Sequence, residues 1–277
     1  MRRRILLVLA IVVVLASTGT ATATSATSAT GATASYIVVL KNTVADPGAV
    51  ALAQGRAYGF QARFVYRHAL KGYAASLSSA AVSAIAADSR VAYVAPDEPF
   101  HAAACIASPP SSQQFMCNWD RRIDTDRSST RSGDGKGSVN INVAVLDTGI
   151  DLTHPDLNVV GGVNCSTGKG FGDVSGQGTV VAGIIGARDN TIGVVGVAPG
   201  ANLWSVRVLD KQGFGSTSQI VCGIDWVTAT RTDTDPTNDI AVANMSLGGR
   251  ERTTETAAIP RIVMPCTRRS VPPSPRA

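Results

Sequence analysis

The chain reads VNINVAVLDTG over residues 139–149, and this mostly apolar run is the starting point for its fold class. An apolar run of this length is typical of a strand in a parallel sheet, because such a strand is buried on both faces. The run ends at Asp147, which Thr148 and Gly149 follow. Functional groups of open α/β sheets lie at the carboxyl ends of strands. The segment therefore predicts an α/β fold with Asp147 at its functional edge.

Helix and strand patterns alternate after this strand. Helices are predicted at residues 178–187 and 216–228, and strands at residues 203–208 and 240–245. This βαβ winding predicts a doubly wound parallel sheet. It also argues against an aspartic protease, which uses the same Asp-Thr-Gly letters but needs a second such aspartate and an all-β fold.

A smaller pattern precedes the parallel sheet. Six elements are predicted in the order β-α-β-β-α-β, at residues 36–40, 49–59, 62–66, 70–77, 79–87 and 91–94. This order is the split βαβ, or ferredoxin-like, plan, in which the helices cover one face of an antiparallel sheet. Residues 36–99 are therefore predicted to form a small α+β domain.

The N-terminus is typical of a secretion signal. Three arginines precede an apolar stretch at residues 5–16 and an Ala-Thr-Ala site at residues 21–23, so residues 1–23 are predicted to be a cleaved signal peptide. The apolar stretch is shorter than the roughly 20 residues that span a bilayer. Residues 24–35 contain only Thr, Ala, Ser and Gly. They are predicted to form a disordered linker, because they bury too little apolar surface to offset the entropy of ordering.

Charge and cysteine content exclude other classes. Charged residues make up 16% of the chain, and much of the +5 net charge lies at its ends, which does not match a nucleic-acid-binding surface. Cys105, Cys117, Cys165 and Cys222 could form two disulfides in an oxidising compartment, and all three pairings remain open. The cysteines and histidines match no zinc-site spacing.

Several separate motifs resemble subtilisin-like serine proteases and occur in that family's order. The protease-like motifs are VAVLDTGIDLTHPDL, SGQGTVVAG, NTIGVVGVAPGANLWSVRVLD and ANMSLGG, at residues 143–157, 175–183, 190–210 and 243–249. Motifs similar to the family's inhibitory propeptide are YIVVLK, LKGYAASLS and RVAYVAPDE, at residues 36–41, 70–78 and 90–98. The resemblance implies a secreted zymogen with a subtilisin-like domain over residues 105–249. It also implies that the propeptide acts as folding template and inhibitor, with its C-terminal segment in the substrate groove.

The resemblance implies roles for particular residues. Asp147 matches the triad aspartate, which holds the catalytic histidine in one tautomer and stabilises its imidazolium. Two segments match the walls of a groove that binds an extended peptide by β-augmentation. These substrate-binding residues are Ser246, Leu247 and Gly248 on one wall, and Gly213, Phe214 and Gly215 on the other.

A calcium site is also implied by the resemblance. Its matching positions are the side chains of Asp156 and Asn190 and the carbonyl groups near Arg188, Ile192 and Val194. All of these are oxygen donors, as a hard cation requires. The family's N-terminal ligand has no position that can be aligned in the sequence.

The catalytic motifs depart from the family pattern. Gln177 occupies the position of the catalytic histidine, and an amide cannot act as a general base near neutral pH. His68 and His101 belong to the propeptide-like region and His154 to a turn, so none of them is expected to replace it. The family's serine motif and oxyanion-hole asparagine lie far downstream of residues 246–249 and have no counterpart here. We therefore expect a partial doubly wound sheet with the C-terminal half missing. We also expect the chain to be catalytically inactive, even if Gln177 is replaced by histidine.

Residues 250–277 form an aberrant tail with no helical or strand period, six arginines and five prolines. One interpretation is a disordered basic tail. Back-translation of residues 253–277 in a shifted frame allows a sequence similar to the family's next helix, so we hypothesise a frameshift near Arg250. Resequencing the gene at this point tests the hypothesis.

Three functions remain open from the sequence. The chain is the precursor of a secreted subtilisin-like serine endopeptidase, inactive as written; or a non-catalytic protein whose residues 36–98 inhibit another subtilisin-like protease; or a decayed gene product. The expected partners are a peptide or protein in the groove and another subtilisin-like protease. Nucleic acid, and a membrane after signal cleavage, are not expected partners.

Overall fold

The computed structural model describes residues 32–102, 114, 120, 123–136 and 138–249. The predicted signal peptide, most of the predicted linker, Cys105, Cys117 and the predicted aberrant tail lie outside the described residues. Within them, no helix combines the length and the hydropathy that a transmembrane span requires.

Eleven strands, four helices and a short 3-10 turn are described along the chain. They are β1 (Thr33–Leu40), α1 (Pro47–Tyr58), β2 (Ala62–Tyr66), β3 (Gly72–Ser78), α2 (Ser79–Ala86), β4 (Val91–Pro96), β5 (Pro99–Ala102), the 3-10 turn (Thr125–Arg127), β6 (Asn142–Asp147), β7 (Val159–Asn164), α3 (Gln177–Gly186), β8 (Asn202–Arg207), β9 (Phe214–Ser216), α4 (Thr217–Ala229), β10 (Val242–Asn244) and β11 (Leu247–Gly249). All of them belong to one compact unit that begins at Thr33.

The N-terminal domain is an antiparallel sheet in the order β2-β3-β1-β4 with two helices. Its helices start where capping residues allow them to start. Asp46 accepts a hydrogen bond from the Gly48 amide before α1, and Ser78 accepts one from the Ala81 amide at the start of α2; such bonds satisfy N–H groups that have no partner within a helix. The predicted β-α-β-β-α-β order is confirmed.

The two faces of this antiparallel sheet bury different partners. Alternate residues of a strand point to opposite faces, and Val38 packs with Val50 of α1 and Ile85 of α2 in one apolar cluster. Ile37 and Tyr66 belong to a second cluster on the other face. Both faces of the sheet are therefore covered.

Strand β1 begins earlier than predicted. Residues 33–35, assigned above to the disordered linker, pair with residues 76–78 of β3. Their backbone hydrogen bonds extend the sheet although their side chains contribute little burial. The corrected boundary of the ordered domain is Thr33.

The C-terminal part contains a parallel sheet in the order β10-β6-β8-β7. Helix α3 packs on one face, where Val181 joins a cluster with Val143 and Val145 of β6. Helix α4 packs on the other face, where Ile220 joins Leu146 of β6. Helices on both faces define the predicted doubly wound α/β architecture, which the structure confirms.

A third sheet connects the two parts. It is antiparallel, in the order β11-β5-β9, so that β5 from the end of the N-terminal domain lies between two strands of the C-terminal part. This sheet lies beyond the boundary at residue 99 that the sequence predicts for the N-terminal domain.

Candidate active site

Asp147 ends β6, the inner strand of the parallel sheet that pairs with β8 and β10. Its side chain is 0% exposed. Its backbone carbonyl accepts hydrogen bonds from the amides of Val208 (2.9 Å) and Leu209 (3.1 Å), and its Oδ1 accepts one from the Thr148 amide at 2.7 Å. The chain just after β8 thus holds the backbone of Asp147 at the edge of the sheet, and the Thr148 amide holds its carboxyl group.

The environment of Asp147 disfavours its charged form. Among the described residues, no hydrogen-bond donor reaches its buried Oδ2 atom. Burial raises the pKa of Asp147 to about 7, against the hydrogen bond from Thr148, and the nearby Asp173 carboxylate adds to the rise. A carboxylate that loses water without gaining donors or a positive partner keeps its proton to higher pH.

Gln177 is the first residue of α3 and lies next to the Asp147 segment. Gly178 is in close contact with that segment, since a Cβ atom at Gly178 would lie 2.0 Å from the Gly149 carbonyl oxygen and 3.1 Å from the Asp147 Cβ. The Gly178 amide also donates to Thr148 Oγ1 at 3.0 Å. The two motifs that the sequence singles out are therefore brought together in space.

Asp173 fixes the start of this helix. Its Oδ1 accepts hydrogen bonds from Thr148 Oγ1 at 2.8 Å and from the Gly176 amide at 2.9 Å, and its Oδ2 accepts one from the Thr179 amide at 3.0 Å. A carboxylate at a helix N-terminus satisfies free N–H groups and complements the helix dipole. Sequence reasoning missed Asp173, because the residue directly before the helix is Gly176 and Asp173 lies three residues further back.

The three histidines have other surroundings. His101 lies on β5, His154 Nδ1 accepts a hydrogen bond from the Asp156 amide, and His68 Nδ1 lies 3.3 Å from Thr232 Oγ1. Among the described atoms, none of these imidazoles hydrogen-bonds to Asp147. A base that accepts a nucleophile's proton must lie within hydrogen-bond reach of it.

The residues predicted to form the two walls of a groove flank β5 on both sides. On one wall, Leu247, Gly248 and Gly249 of β11 pair with Ala102, His101 and Phe100. On the other, Phe214, Gly215 and Ser216 of β9 pair with His101, Phe100 and Pro99, while the Ala102 amide donates to the Gly213 carbonyl at 2.8 Å. Ser246 directly precedes β11 and its Oγ accepts a hydrogen bond from Asn244 Nδ2. The two predicted walls thus hold an extended segment of the chain itself.

Two family models match the chain. The subtilase family model matches residues 138–267, which include Asp147 and Gln177, and the peptidase inhibitor I9 model matches residues 35–103, which reach from β1 to the end of β5. The chain belongs to the subtilase family. Its N-terminal domain is the inhibitor propeptide. The subtilase match continues past residue 249, beyond the boundary that the sequence patterns predict, and the frameshift stays a prediction.

Curated relatives agree with this assignment. Subtilisin E of Bacillus subtilis is 38% identical over 191 residues, which are 68% of this chain and 44% of that protein. Subtilisin of Bacillus pumilus is 48% identical over 112 residues, 40% of this chain and 38% of that protein. Subtilisin Savinase of Lederbergia lenta is 44% identical over 128 residues, 46% of this chain and 43% of that protein. The chain spans less than half the length of these relatives.

The propeptide docks on helix α4 of the subtilase domain. Ser216, the N-cap residue of α4, makes no capping bond with its own side chain. Instead Asp97 of the propeptide accepts hydrogen bonds from the Ser218 amide (2.8 Å) and from Ser218 Oγ (2.7 Å). The propeptide thus satisfies donors of the helix terminus that the helix cannot satisfy internally.

A reciprocal contact lies further along the same helix. The Asp225 carboxylate accepts hydrogen bonds from three successive propeptide amides, those of Arg67, His68 and Ala69, at 2.6–3.1 Å. Between the two acidic contacts, the Tyr66 hydroxyl donates to the Ser218 carbonyl at 3.0 Å. Sequence reasoning missed this interface, because its two sides are more than 120 residues apart and neither carries a motif of its own.

Oxygen atoms converge around the predicted calcium position. Asn190 Nδ2 donates to Asp156 Oδ1 at 2.6 Å. The Gln114 side chain joins the cluster, since its Nε2 lies 2.7 Å from the Arg188 carbonyl oxygen and 3.4 Å from both Asn190 Oδ1 and the Val194 carbonyl oxygen. Gln114 is the ligand candidate for which the sequence offered no alignment.

This oxygen cluster fits a hard cation. Carboxylate, amide and backbone carbonyl oxygens are the donors that calcium takes in proteins. The described residues contain no group of three or more His, Cys, Asp or Glu side chains suited to a metal, but this cluster draws mainly on carbonyl and amide oxygens. Burial raises the pKa of Asp156, against the hydrogen bond from Asn190.

One disulfide is present among the described residues. Cys165, just after β7, is bonded to Cys222 of α4, 57 residues away. Of the three pairings that the sequence left open, this bond is compatible only with the one in which the second disulfide would join Cys105 and Cys117. The bond ties the helix on which the propeptide docks to the far edge of the parallel sheet.

Proposed function

We propose that this chain is a secreted subtilisin-like serine endopeptidase precursor whose own propeptide strand fills the substrate groove, and that it is catalytically inactive because of Gln177. The observation that carries the proposal is β5, which pairs with β9 and β11 on both sides. A groove that holds an extended chain between two strands recognises a peptide through backbone hydrogen bonds. The expected substrate class is therefore a peptide or protein.

The chemistry of the edge supports binding without hydrolysis. Acyl transfer at a serine requires a base that takes the hydroxyl proton, and the triad aspartate serves by orienting that base. In this proposal the residue that Asp147 would orient lies at the start of α3, and in this chain that residue is Gln177. A carboxamide holds hydrogen bonds and does not take a proton near neutral pH.

Hydrolysis of a generic peptide substrate tests this proposal. The full chain and its Asp147→Asn variant are expected to show the same background turnover, because neither has a base. The measurement includes a serine-directed covalent inhibitor. Turnover that the inhibitor abolishes, and that the Asp147→Asn variant lacks, would contradict the proposed inactivity.

We also propose that Asp156, Asn190 and Gln114, with the Arg188 and Val194 carbonyl groups, hold a calcium ion. When bound, the cation would be coordinated by these oxygens in place of the present amide hydrogen bonds and would tie together loops that are distant in sequence. Calcium is expected to raise the melting temperature of the full chain, and Asp156→Asn to remove most of that rise. Asp151→Asn, the same change on an exposed turn of the same loop, is the control.

A second candidate function is inhibition of another subtilisin-like protease by the propeptide. The contacts that favour it are the hydrogen bonds of Asp97 and Asp225 and the strand pairing of Phe100, all of which join the propeptide to the subtilase domain. A fragment of residues 32–102 is expected to inhibit a subtilisin at micromolar concentration or better. Phe100→Ala should weaken inhibition, whereas Tyr93→Ala, at a tyrosine that is 57% exposed, should not. Absence of inhibition by the folded fragment would remove this candidate.

We propose that the chain is secreted, on the basis of one observation from the sequence and one from the structure. The N-terminal residues have a secretion-signal pattern, and the Cys165–Cys222 disulfide requires an oxidising compartment. Expression in a secreting bacterial host is expected to release a product that begins at residue 24. Retention of an unprocessed N-terminus inside the cell would contradict this prediction.

A further inference from the structure

Helix α4 presents one face to the propeptide. Near the start of the helix, Ser218 donates to Asp97 and its carbonyl accepts a hydrogen bond from Tyr66. Two turns later, Asp225 accepts hydrogen bonds from propeptide amides. Cys222 lies four residues after Ser218 and three before Asp225. Residues at this spacing share one face of a helix, so Cys222 lies between the two polar contacts, on the face that the propeptide covers.

Cys222 also belongs to an apolar cluster formed mainly by the propeptide. The buried members of this cluster are Ile37, Tyr66 and Ala74, which lie on propeptide strands. Among the described residues, Val221 and Cys222 are the members that α4 contributes. Burial of Cys222 in this cluster removes apolar surface of both partners from water and so favours docking. One end of the Cys165–Cys222 disulfide is therefore part of the surface on which the propeptide docks.

The disulfide ties this part of α4 to the chain just after β7. Its other end, Cys165, is 1% exposed, and the Cys165 amide donates to the Arg207 carbonyl at 2.8 Å. Beside the disulfide, Gln219 Nε2 of α4 donates to Ser166 Oγ at 3.2 Å. A disulfide restricts the chain more than one such hydrogen bond does. The position of the docking face therefore depends on the disulfide as well as on packing.

We propose that the Cys165–Cys222 disulfide is coupled to propeptide docking. The disulfide-bonded subtilase domain holds its propeptide more tightly than the reduced domain, and the docked propeptide covers Cys222 and slows attack by thiols. Reduction by a dithiol passes two electrons and two protons to the two sulfur atoms; the S–S bond breaks, both cysteines become thiols and the dithiol closes to its own disulfide. This inference rests on the docking contacts, and neither the proposed inactivity nor the proposed cation site enters it.

Reduction of the native full chain by dithiothreitol, with alkylation of the freed thiols and mass spectrometry, tests the protection. Asp97→Ala removes the acceptor of two Ser218 hydrogen bonds and should raise the reduction rate about tenfold, because the propeptide is undocked more often. Glu98→Ala, at the neighbouring exposed carboxylate, is the matched control and should keep the wild-type rate. Gly178→Ala destabilises the subtilase domain away from α4 and should change the rate less than about twofold, since local undocking exposes the disulfide.

Hydrogen exchange measures the effect of the disulfide on docking. The amides of residues 67–69 donate to Asp225 across the interface, whereas the amides of β1 lie within the propeptide's own sheet. In a Cys165→Ser, Cys222→Ser double variant, exchange at residues 67–69 should be about fivefold faster or more. Exchange within β1 should not change. Faster exchange in both places would indicate an unfolded propeptide instead of weaker docking and would contradict the inference.

The outcomes are decisive in each case. Equal reduction rates for the wild-type chain and Asp97→Ala overturn the inference, and so does unchanged exchange at residues 67–69 in the double variant. An equal acceleration by Gly178→Ala also overturns it, because reduction would then follow unfolding of the whole domain. If tryptophan fluorescence shows that the double variant does not fold, the reduction rates alone decide.

Discussion

Replacement of Asp147 by asparagine is expected to change how the stability of the subtilase domain depends on pH. Asp147 is a buried carboxyl group whose pKa is raised from 3.8 to about 7, mainly by burial. The folded domain therefore keeps the proton over a pH range in which the unfolded chain has released it. In that range the unfolded state gains stability relative to the folded state as the pH rises.

The size of the effect follows from the two pKa values. Below about pH 4 both states hold the proton and the effect is absent; above about pH 7 both have released it and the cost no longer grows. Between these limits each pH unit costs about 1.4 kcal/mol, so the whole range of roughly three units amounts to about 4 kcal/mol. From pH 5 to pH 8 the expected loss in the free energy of unfolding is about 3 kcal/mol.

Asp147→Asn removes this titration. Asparagine can still accept the hydrogen bond from the Thr148 amide, but its buried amino group costs about 1–3 kcal/mol if it finds no acceptor, at every pH. By pH 5 the wild-type chain has itself lost about 1.6 kcal/mol. The variant should therefore be about as stable as the wild-type chain at pH 5 and more stable, by roughly 1–3 kcal/mol, at pH 8. The change between the two pH values, rather than the sign at either one, is the prediction.

Urea unfolding followed by tryptophan fluorescence is the suitable assay. Trp204 on β8 and Trp226 on α4 pack 5.9 Å apart and report on the subtilase domain. Asp134→Asn, at an exposed aspartate, is the control and should keep the wild-type pH dependence. An equal stability difference between the wild-type chain and Asp147→Asn at pH 5 and pH 8 would refute the burial argument.

Three other perturbations have calculable or geometric consequences. Reduction of the Cys165–Cys222 disulfide, which closes a 57-residue separation, should lower the free energy of unfolding by about 4 kcal/mol in urea titrations, and an unchanged midpoint would contradict this. Gly178→Ala places a Cβ 2.0 Å from the Gly149 carbonyl oxygen and should lower the free energy of unfolding by about 1–3 kcal/mol. Gly183→Ala, where a Cβ meets open space, should stabilise the helix by up to about 1 kcal/mol. Thermal melts compare the two variants. Tyr66→Phe removes the hydrogen bond to Ser218 and should weaken propeptide docking by about 0.5–1.5 kcal/mol, measured by hydrogen exchange at the interface, where unchanged exchange would count against it.

Elements with a clear internal pattern were predictable from the sequence. The helices and strands of the propeptide follow from capping residues and periodic apolar positions, and β6 follows from a continuous apolar run. Strand β7 was missed because it contains Gly161 and Gly162. Those glycines are needed for packing, since Cβ atoms there would lie 2.6 Å from the Trp204 ring and 2.1 Å from the Ser205 carbonyl oxygen.

Residues that act through distant partners were not predictable in this way. Strand β5 has four residues and begins at a proline; only β9 and β11 on either side make it a strand. Gln114 lies 76 residues from Asn190, and a single glutamine in a polar segment carries no local signature. By contrast, Asp147 was found because a strand end followed by Thr-Gly is a local pattern.

The contacts around Asp147 explain how this edge of the sheet keeps its form with glutamine at position 177. The start of α3 is anchored by the Asp173 carboxylate, Thr148 and the close approach of Gly178 to Gly149, and none of these contacts uses the side chain at position 177. The fold therefore does not depend on a histidine there. What depends on it is the charge of Asp147, because a buried carboxylate without a cationic partner is costly. In this chain the Asp147 carboxyl group is buried without a general base to orient, so its burial lowers the stability of the fold. The pH dependence of unfolding measures that loss directly.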